Sequence, residues 1–282
     1  MDDKIGDRDL LRRIARGPQY SSPEAYAELV RTLHAVTGIL LYGFLDDGAG
    51  LRDHIIRNFI ARGLTSLESI EILWQMQHYQ DCYSLYRCLL DRLFHLHVLD
   101  RDGSFEQFEN WSFLEQFRRA NWARSHPQFK ARSDTHTFTV PEKERYKALL
   151  KANVPKWVKP NPVQVAKDMG LEFLYHLGYA HASHHVHPMA NDGEEDLQRI
   201  TMLQKGSRCD QRSVLSNSIL VQLLLTSKGL DSSSFKWRRL VYGFLDECMG
   251  FLRGGDLAYR GTFRKIASQG PDFSWKADRD AG

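Results

Sequence analysis

Tyr175, Tyr179, Ser183 and His187 recur at a strict four-residue interval within LEFLYHLGYAHASHHVHP, Leu171 to Pro188. On an α-helix, residues four apart lie along one face. The spacing therefore predicts a single helix carrying two phenols, a hydroxyl and an imidazole in a row. Leu171, Leu174, Leu177 and Ala182 supply packing beside it, and Pro188 ends it. Such groups can relay hydrogen bonds, and an imidazole can move a proton near neutral pH. A second row, Tyr83, Arg87 and Asp91, has the same spacing in CYSLYRCLLDRLFHLH, among Leu85, Leu89, Leu90 and Leu93. A buried guanidinium needs an anionic partner or several acceptors. Arg before Asp is the weaker order for an isolated helical pair, so surface helix stabilisation explains these residues poorly. The expectation is that the two rows face each other, with Asp91 orienting Tyr179 or His187 and Arg87 gripping an anion. Arg87, Asp91, Tyr179, Ser183 and His187 are the candidate catalytic residues.

Other residues suggest other chemistry. His181 and His185 stand four apart and His184 and His187 three apart, spacings that let imidazoles converge on an ion, with Asp91, His95 or His97 as a third ligand. Neither HExxH nor a cysteine-rich pattern supports this, so no metal is expected; His181, His184 and His185 are the residues one would use. No cofactor is implied. Cys82, Cys88, Cys209 and Cys248 lack CxxC spacing and read as reduced cytoplasmic thiols. Between Arg118 and Lys159 stand eleven Lys or Arg against three acids, a local +8 in a chain whose net charge is +3. Interleaved with Trp122, Phe129 and Trp157, this stretch could hold RNA through phosphate contacts and stacking. Arg118, Arg119, Arg124, Lys130 and Arg132 are the candidate nucleic-acid contacts.

Helical periodicity positions these groups. Asp7 to Arg16 is a short basic amphipathic segment. Ser21 with Glu24 makes a capping box for a helix running towards Asp46. LRDHIIRNFIARG should stop at Gly63, and Thr65 with Glu68 should cap a new helix running from Ser66 to about Leu99. Such a helix would span roughly 50 Å, with a break expected near Gln77 to Asp81. A further helix begins at Ser104. Ser125 to Pro141 reads as a basic loop with a short strand at Thr135 to Val140, and Glu142 to Ala152 as a helix. Asn161 and Pro162 open another helix, which Gly170 separates from the ladder. The acidic run Asp192 to Asp196 reads as a solvated loop. Arg212 to Ser227 and Ser232 to Arg253 complete the pattern, with Gly254 and Gly255 as a stop. The fold class is all-α: a multi-helix bundle around two long motif-bearing helices. Its segments are 1–64, packing on the core; 65–190, the motif-bearing core with the basic segment 118–159; 191–269, a C-terminal pair; and 270–282, a tail. Together they make one domain. No run of eighteen apolar residues exists, so no membrane span is expected, and the start of the chain lacks an apolar signal core.

The order RxxxD and then YxxxSxxxHP, about ninety residues apart, resembles a family of prokaryotic helical proteins of unknown function. That family is marked by an Arg-x-x-x-acid helix and a Tyr-to-Ser-x-x-x-His helix, with a Trp and an "ia-x-x-x-g" stretch between them. Here these are Arg87 and Asp91; Tyr179, Ser183 and His187; Trp157; and Val165 to Gly170. The resemblance covers Ile56 to Met189 and implies a helical bundle. Asp91 stands where Glu is commoner, and His181, His184 and His185 are additional. A more distant similarity is to the higher-eukaryote-and-prokaryote nucleotide-binding (HEPN-type) proteins, which pair an Arg and a His a few residues apart. Arg92 with His97, and Arg119 with His126, have that spacing.

Three functions are consistent with these residues. One is a cytoplasmic protein binding a phosphate-bearing ligand or RNA, in its enzymatic version an endoribonuclease-type effector of stress or defence. The second is a non-catalytic module in which Arg87, Asp91, Tyr179, Ser183 and His187 form a buried packing network. The third is a histidine-rich metal-binding protein. RNA or a nucleotide, a protein, or a second copy in a homodimer are the compatible partners; a membrane is not.

Overall fold

The computed structural model describes residues 22–43, 50–128, 138–152, 157–187, 190, 193–201, 212–233, 235 and 237–268. Their regular structure is helical: α1 Pro23–Gly43, α2 Leu51–Gln75, α3 Tyr79–Asp102, α4 Phe105–Ser125, α5 Val140–Lys151, α6 Pro162–Asp168, a π-helix Leu174–Ala180, α7 His181–His184, α8 Glu194–Ile200, α9 Arg212–Ser232, α10 Arg238–Gly254 and α11 Tyr259–Ser268. The fold is all-α. Two compact units divide the chain: unit 1 is Met1–Leu96 with Asn161–Gly282, and unit 2 is His97–Pro160.

Unit 1 is built on α9. A helix that is apolar on all sides belongs in an interior, and Val214, Leu215, Ile219, Leu220, Val221, Leu223, Leu225 and Leu230 are all buried. Each such side chain contributes about 1.5–3 kcal/mol when removed from water. The most extensive partner of α9 is α2, with α1 and α10 alongside. Close approach explains Gly63: a Cβ there would lie 2.5 Å from Gln222 Oε1 and 3.0 Å from Leu225 Cδ1. Gly63 therefore admits a neighbouring helix and does not stop its own, and α2 runs unbroken through it. The expected cap at Thr65 is absent for the same reason, since its hydroxyl donates backwards to the Ala61 carbonyl at 3.1 Å. Two polar side chains on α9 reach partners on neighbouring helices, although among the described residues Asn217 Oδ1 and Gln222 Oε1 are buried without one. Ser216 donates to the Tyr26 hydroxyl at 3.0 Å, and Gln222 Nε2 donates to the Ile60 carbonyl at 3.4 Å.

The long helical pattern breaks between α2 and α3, at Met76–His78. Gln77 has φ 63°, the left-handed region that non-glycine residues seldom occupy. It is stabilised there by Gln77 N–H to Trp74 O and His78 N–H to Leu73 O, both 2.9 Å. Beyond the break, α3 buries Cys82, Tyr86, Leu89, Leu90, Leu93 and Phe94. In the C-terminal region α10 buries Val241, Phe244, Leu245, Cys248, Phe251 and Leu252 at helical spacing. Gly255, at φ 75°, ends it as expected. Phe235 and Trp237, expected inside this helix, precede it. α11 then packs on α10 and α1. Glu194, Glu195 and Asp196, from the acidic run expected as a loop, instead open α8, where carboxylates near an N-terminus are favourable; Asp192 lies outside the described residues.

Unit 2 pairs α4 with α5 through aromatic rings. Phe117 stacks on Phe138 at 4.0 Å and on Tyr146 at 3.9 Å, and Trp157 meets Phe108 at 4.9 Å and Trp111 at 5.2 Å. Thr139 caps α5, accepting from Glu142 N–H while the Glu142 carboxylate accepts from Thr139 N–H at 2.7 Å. Val140, expected at the end of a strand, is therefore the first helical residue, followed by Pro141 at a position that needs no donor. The expected Asp7–Arg16 helix, the Ser21 cap, Thr135 to Thr137, Cys209, the 270–282 tail and the Leu177 side chain lie outside the described residues. Among those described, no helix is long and apolar enough to cross a membrane.

Candidate functional site

The ladder does not form a single α-helix. α6 begins as expected, with Asn161 Oδ1 accepting from Val163 N–H at 3.0 Å and Pro162 in the first turn. Gly170, at φ 68°, turns the chain out of it. The backbone then winds as a π-helix over Leu174–Ala180 and tightens into α7, whose C-cap is His185. A π-turn, with its i→i+5 bonding, rotates less per residue than an α-turn. Residues four apart lag in the first and lead in the second, and the two drifts offset each other. Tyr175 and Tyr179 stack at 5.9 Å, and Ser183 Oγ donates to the Tyr179 carbonyl at 2.7 Å. Gly178 permits the approach of α3: a Cβ there would stand 2.7 Å from the Tyr86 hydroxyl.

Across that contact the two polar rows meet. Arg87 Nε donates to Ser183 Oγ at 3.0 Å, and Arg87 Nη1 pairs with Asp91 Oδ2. The Tyr179 hydroxyl donates to the other Asp91 oxygen, Oδ1, at 3.2 Å. The guanidinium lies over the Tyr179 ring, 3.7 Å from its centre, and Phe94 packs on the same tyrosine at 5.8 Å. Burial, reinforced by the Asp91 charge and partly offset by Arg87, pushes the Tyr179 pKa up to about 12. Tyr179 is therefore a fixed donor at neutral pH and not a base. Asp91 is held by one donor on each oxygen, and Ser183 both donates and accepts.

His187 does not join this cluster. It is exposed, and its backbone N–H meets the Ser183 carbonyl at 3.2 Å. α7 ends at His184, three residues before the ladder's last rung, so His187 stands outside the regular helix that carries Ser183. His181 and His185 instead pack with Tyr83, at 4.7 Å and 5.0 Å, and with each other at 5.2 Å. His184 is exposed. His95 Nδ1 bonds the Asp91 carbonyl at 2.6 Å. Among the described residues no three His, Cys, Asp or Glu side chains come together as a metal site.

Three contributors escaped the sequence reading: Phe94, Gly178 and Ser84, whose hydroxyl donates to the His185 carbonyl at 3.0 Å. Phe94 falls three residues beyond Asp91, so helical spacing could have found it; Ser84 and Gly178 carry no local signal. In unit 2, Arg118 pairs with Glu115 at 2.7 Å, Arg119 is exposed, and Arg124 lies 5.1 Å from the Phe138 ring centre. Lys130 and Arg132 lie outside the described residues. Of the Arg–His pairs, Arg92 donates to the Cys88 carbonyl at 2.7 Å, while His126 rests on Trp122 at 5.1 Å.

Helices throughout the described residues, with a polar cluster joining a π-helix to α3, define an all-helical protein with an interhelical hydrogen-bond network. Residues 53–199, just over half the chain, match the model of a family of unknown function, DUF5677, and the chain belongs to that family. The match takes in both motif helices and encloses the Ile56–Met189 span of the resemblance. No curated protein and no solved structure matches the chain.

Proposed function

We propose that this protein is a non-catalytic binding module. In this reading Arg87, Asp91, Tyr179 and Ser183 clasp the π-helix to α3, and the adjoining face of Tyr83, His181 and His185 receives RNA or another phosphate-bearing ligand. The observation that carries it is the closure of the network: both Asp91 oxygens, the Tyr179 hydroxyl and Ser183 Oγ all find partners within it. Polar networks satisfied in this way fix packing. The three neighbouring rings offer what single-stranded RNA recognition uses, aromatic and imidazole faces for bases, each worth about 1–3 kcal/mol. An endoribonuclease on these residues would need the His187 imidazole beside the anion that Arg87 grips, whereas His187 is exposed and lies beyond the end of α7. The free thiols Cys82, Cys88 and Cys248 suit a reducing compartment, and the proposal places the protein in the cytoplasm.

The test is anisotropy titration of a labelled single-stranded RNA, with the same samples run on a denaturing gel. Tyr83→Ala with His181→Ala should weaken binding at least tenfold in a protein whose melting curve still shows a cooperative fold, and the RNA should stay intact. Cleavage that His187→Ala abolishes in a stably folded protein would establish the enzyme instead. Absence of RNA binding by the wild type would remove the RNA reading.

A further inference from the structure

A groove of about 510 Å³ opens between α1 and α11, lined by Glu28, Arg31, Thr32, Arg260, Phe263 and Arg264. None of these residues belongs to the clasp. Its one carboxylate is committed: Glu28 holds Arg260 with both oxygens, Nε to Oε1 at 2.6 Å and Nη2 to Oε2. That bidentate pair fixes Arg260 but leaves two further guanidinium groups on the wall. Arg264 Nε donates to the Arg260 carbonyl at 3.2 Å, which sets the direction of its side chain. Arg31 acts through space on Glu71. Among the described residues neither Arg31 nor Arg264 makes an ion pair, so three arginines and one glutamate leave the groove with a net charge of +2.

A concave wall lined by an excess of positive charge lowers its electrostatic energy by admitting an anion. Guanidinium forks match phosphoryl oxygens geometrically, two bonds at a time. Phe263 adds an apolar ring to the same wall, and the volume falls in the range of small-ligand sites, about 300–1,000 Å³. From this arrangement we infer that the groove binds a nucleotide polyphosphate, with Arg31 and Arg264 on the phosphates and Phe263 against the base. The Glu28–Arg260 pair is the positioning element, holding α11 against α1 so that both arginines face the same space. No reaction is assigned to the site.

Isothermal titration of the full chain with ATP, pyrophosphate and adenosine tests this. ATP should bind saturably, pyrophosphate several-fold more weakly, and adenosine weaker still. Arg31→Gln/Arg264→Gln should weaken ATP at least tenfold, while Arg253→Gln, at an exposed site on α10, should not. Phe263→Ala should erase the advantage of ATP over pyrophosphate. Melting curves confirm that each variant is folded; if Phe263→Ala is not, Phe263→Leu takes its place. ATP binding unaffected by the double substitution overturns the inference, as does equal affinity for ATP and pyrophosphate. Capture of an RNA oligonucleotide by the same arginines, without competition from ATP, overturns it in favour of a polymer.

Discussion

Replacing Arg87 by Met keeps the length of the stem and removes the charge on which the clasp depends. Three interactions are lost: the ion pair with Asp91, the hydrogen bond to Ser183 and the stacking over Tyr179. Removing one partner of a fully buried ion pair costs about 3–5 kcal/mol, because the other charge stays desolvated. Here the side chains retain 15% and 27% of their exposure, so water reaches Asp91 and the cost falls to roughly 2–3 kcal/mol. At roughly 2–4 °C per kcal/mol for a body of this size, the melting temperature should drop by about 4–12 °C. Asp91→Leu alone should cost a similar amount. The double variant Arg87→Met/Asp91→Leu leaves no orphaned charge and should cost clearly less than the sum of the single changes, with a coupling of about 2 kcal/mol. Urea denaturation followed by circular dichroism measures all four proteins. Single variants within about 0.5 kcal/mol of the wild type, the range of an unimportant surface change, would refute the clasp, and so would simple additivity.

Tyr179, with its pKa raised to about 12, links stability to alkaline pH. The unfolded phenol ionises near 10 and the folded one does not, so this contribution is complete below about pH 10 and is lost as pH rises towards 12. Tyr179→Phe should flatten that part of the stability profile, measured by urea denaturation at several pH values. Gly178→Ala should destabilise by about 1–3 kcal/mol, since its methyl group would press on the buried Tyr86 hydroxyl; a variant as stable as the wild type would contradict the close approach. Cys88 is exposed, whereas Cys82 and Cys248 are buried and burial raises both of their pKa values, that of Cys82 to about 12. Maleimide at pH 8 with peptide mapping should therefore label Cys88 in the native protein, and Cys82 and Cys248 only after unfolding. Phe117→Ala should cost about 3–5 kcal/mol in unit 2, where the ring is held between Phe138 and Tyr146; proteolysis within α4 and α5 would report it.

The sequence by itself determined the fold class and most of the clasp. Helical periodicity and i,i+4 spacing are local, so the apolar rows of α3 and α10, the cap at Asn161 and the stop at Gly255 could be read from neighbouring residues, whereas the cap at Thr139 was hidden in what reads as a short strand. The same spacing paired Arg87 with Asp91 and aligned Tyr179 with Ser183. Tertiary packing decided the rest. Gly63 reads as a helix stop until α9 lies against it, because a missing Cβ serves equally to end a helix or to admit another. The π-turn before Ala180 and the end of α7 at His184 settle which rungs stand on the regular helix, and a one-residue change in winding is invisible in the spacing that was counted. The groove depends on Glu28 and Arg260, 232 positions apart, whose proximity no local pattern records. Chain distance of that kind is bridged only when the whole apolar interior of unit 1 closes around α9.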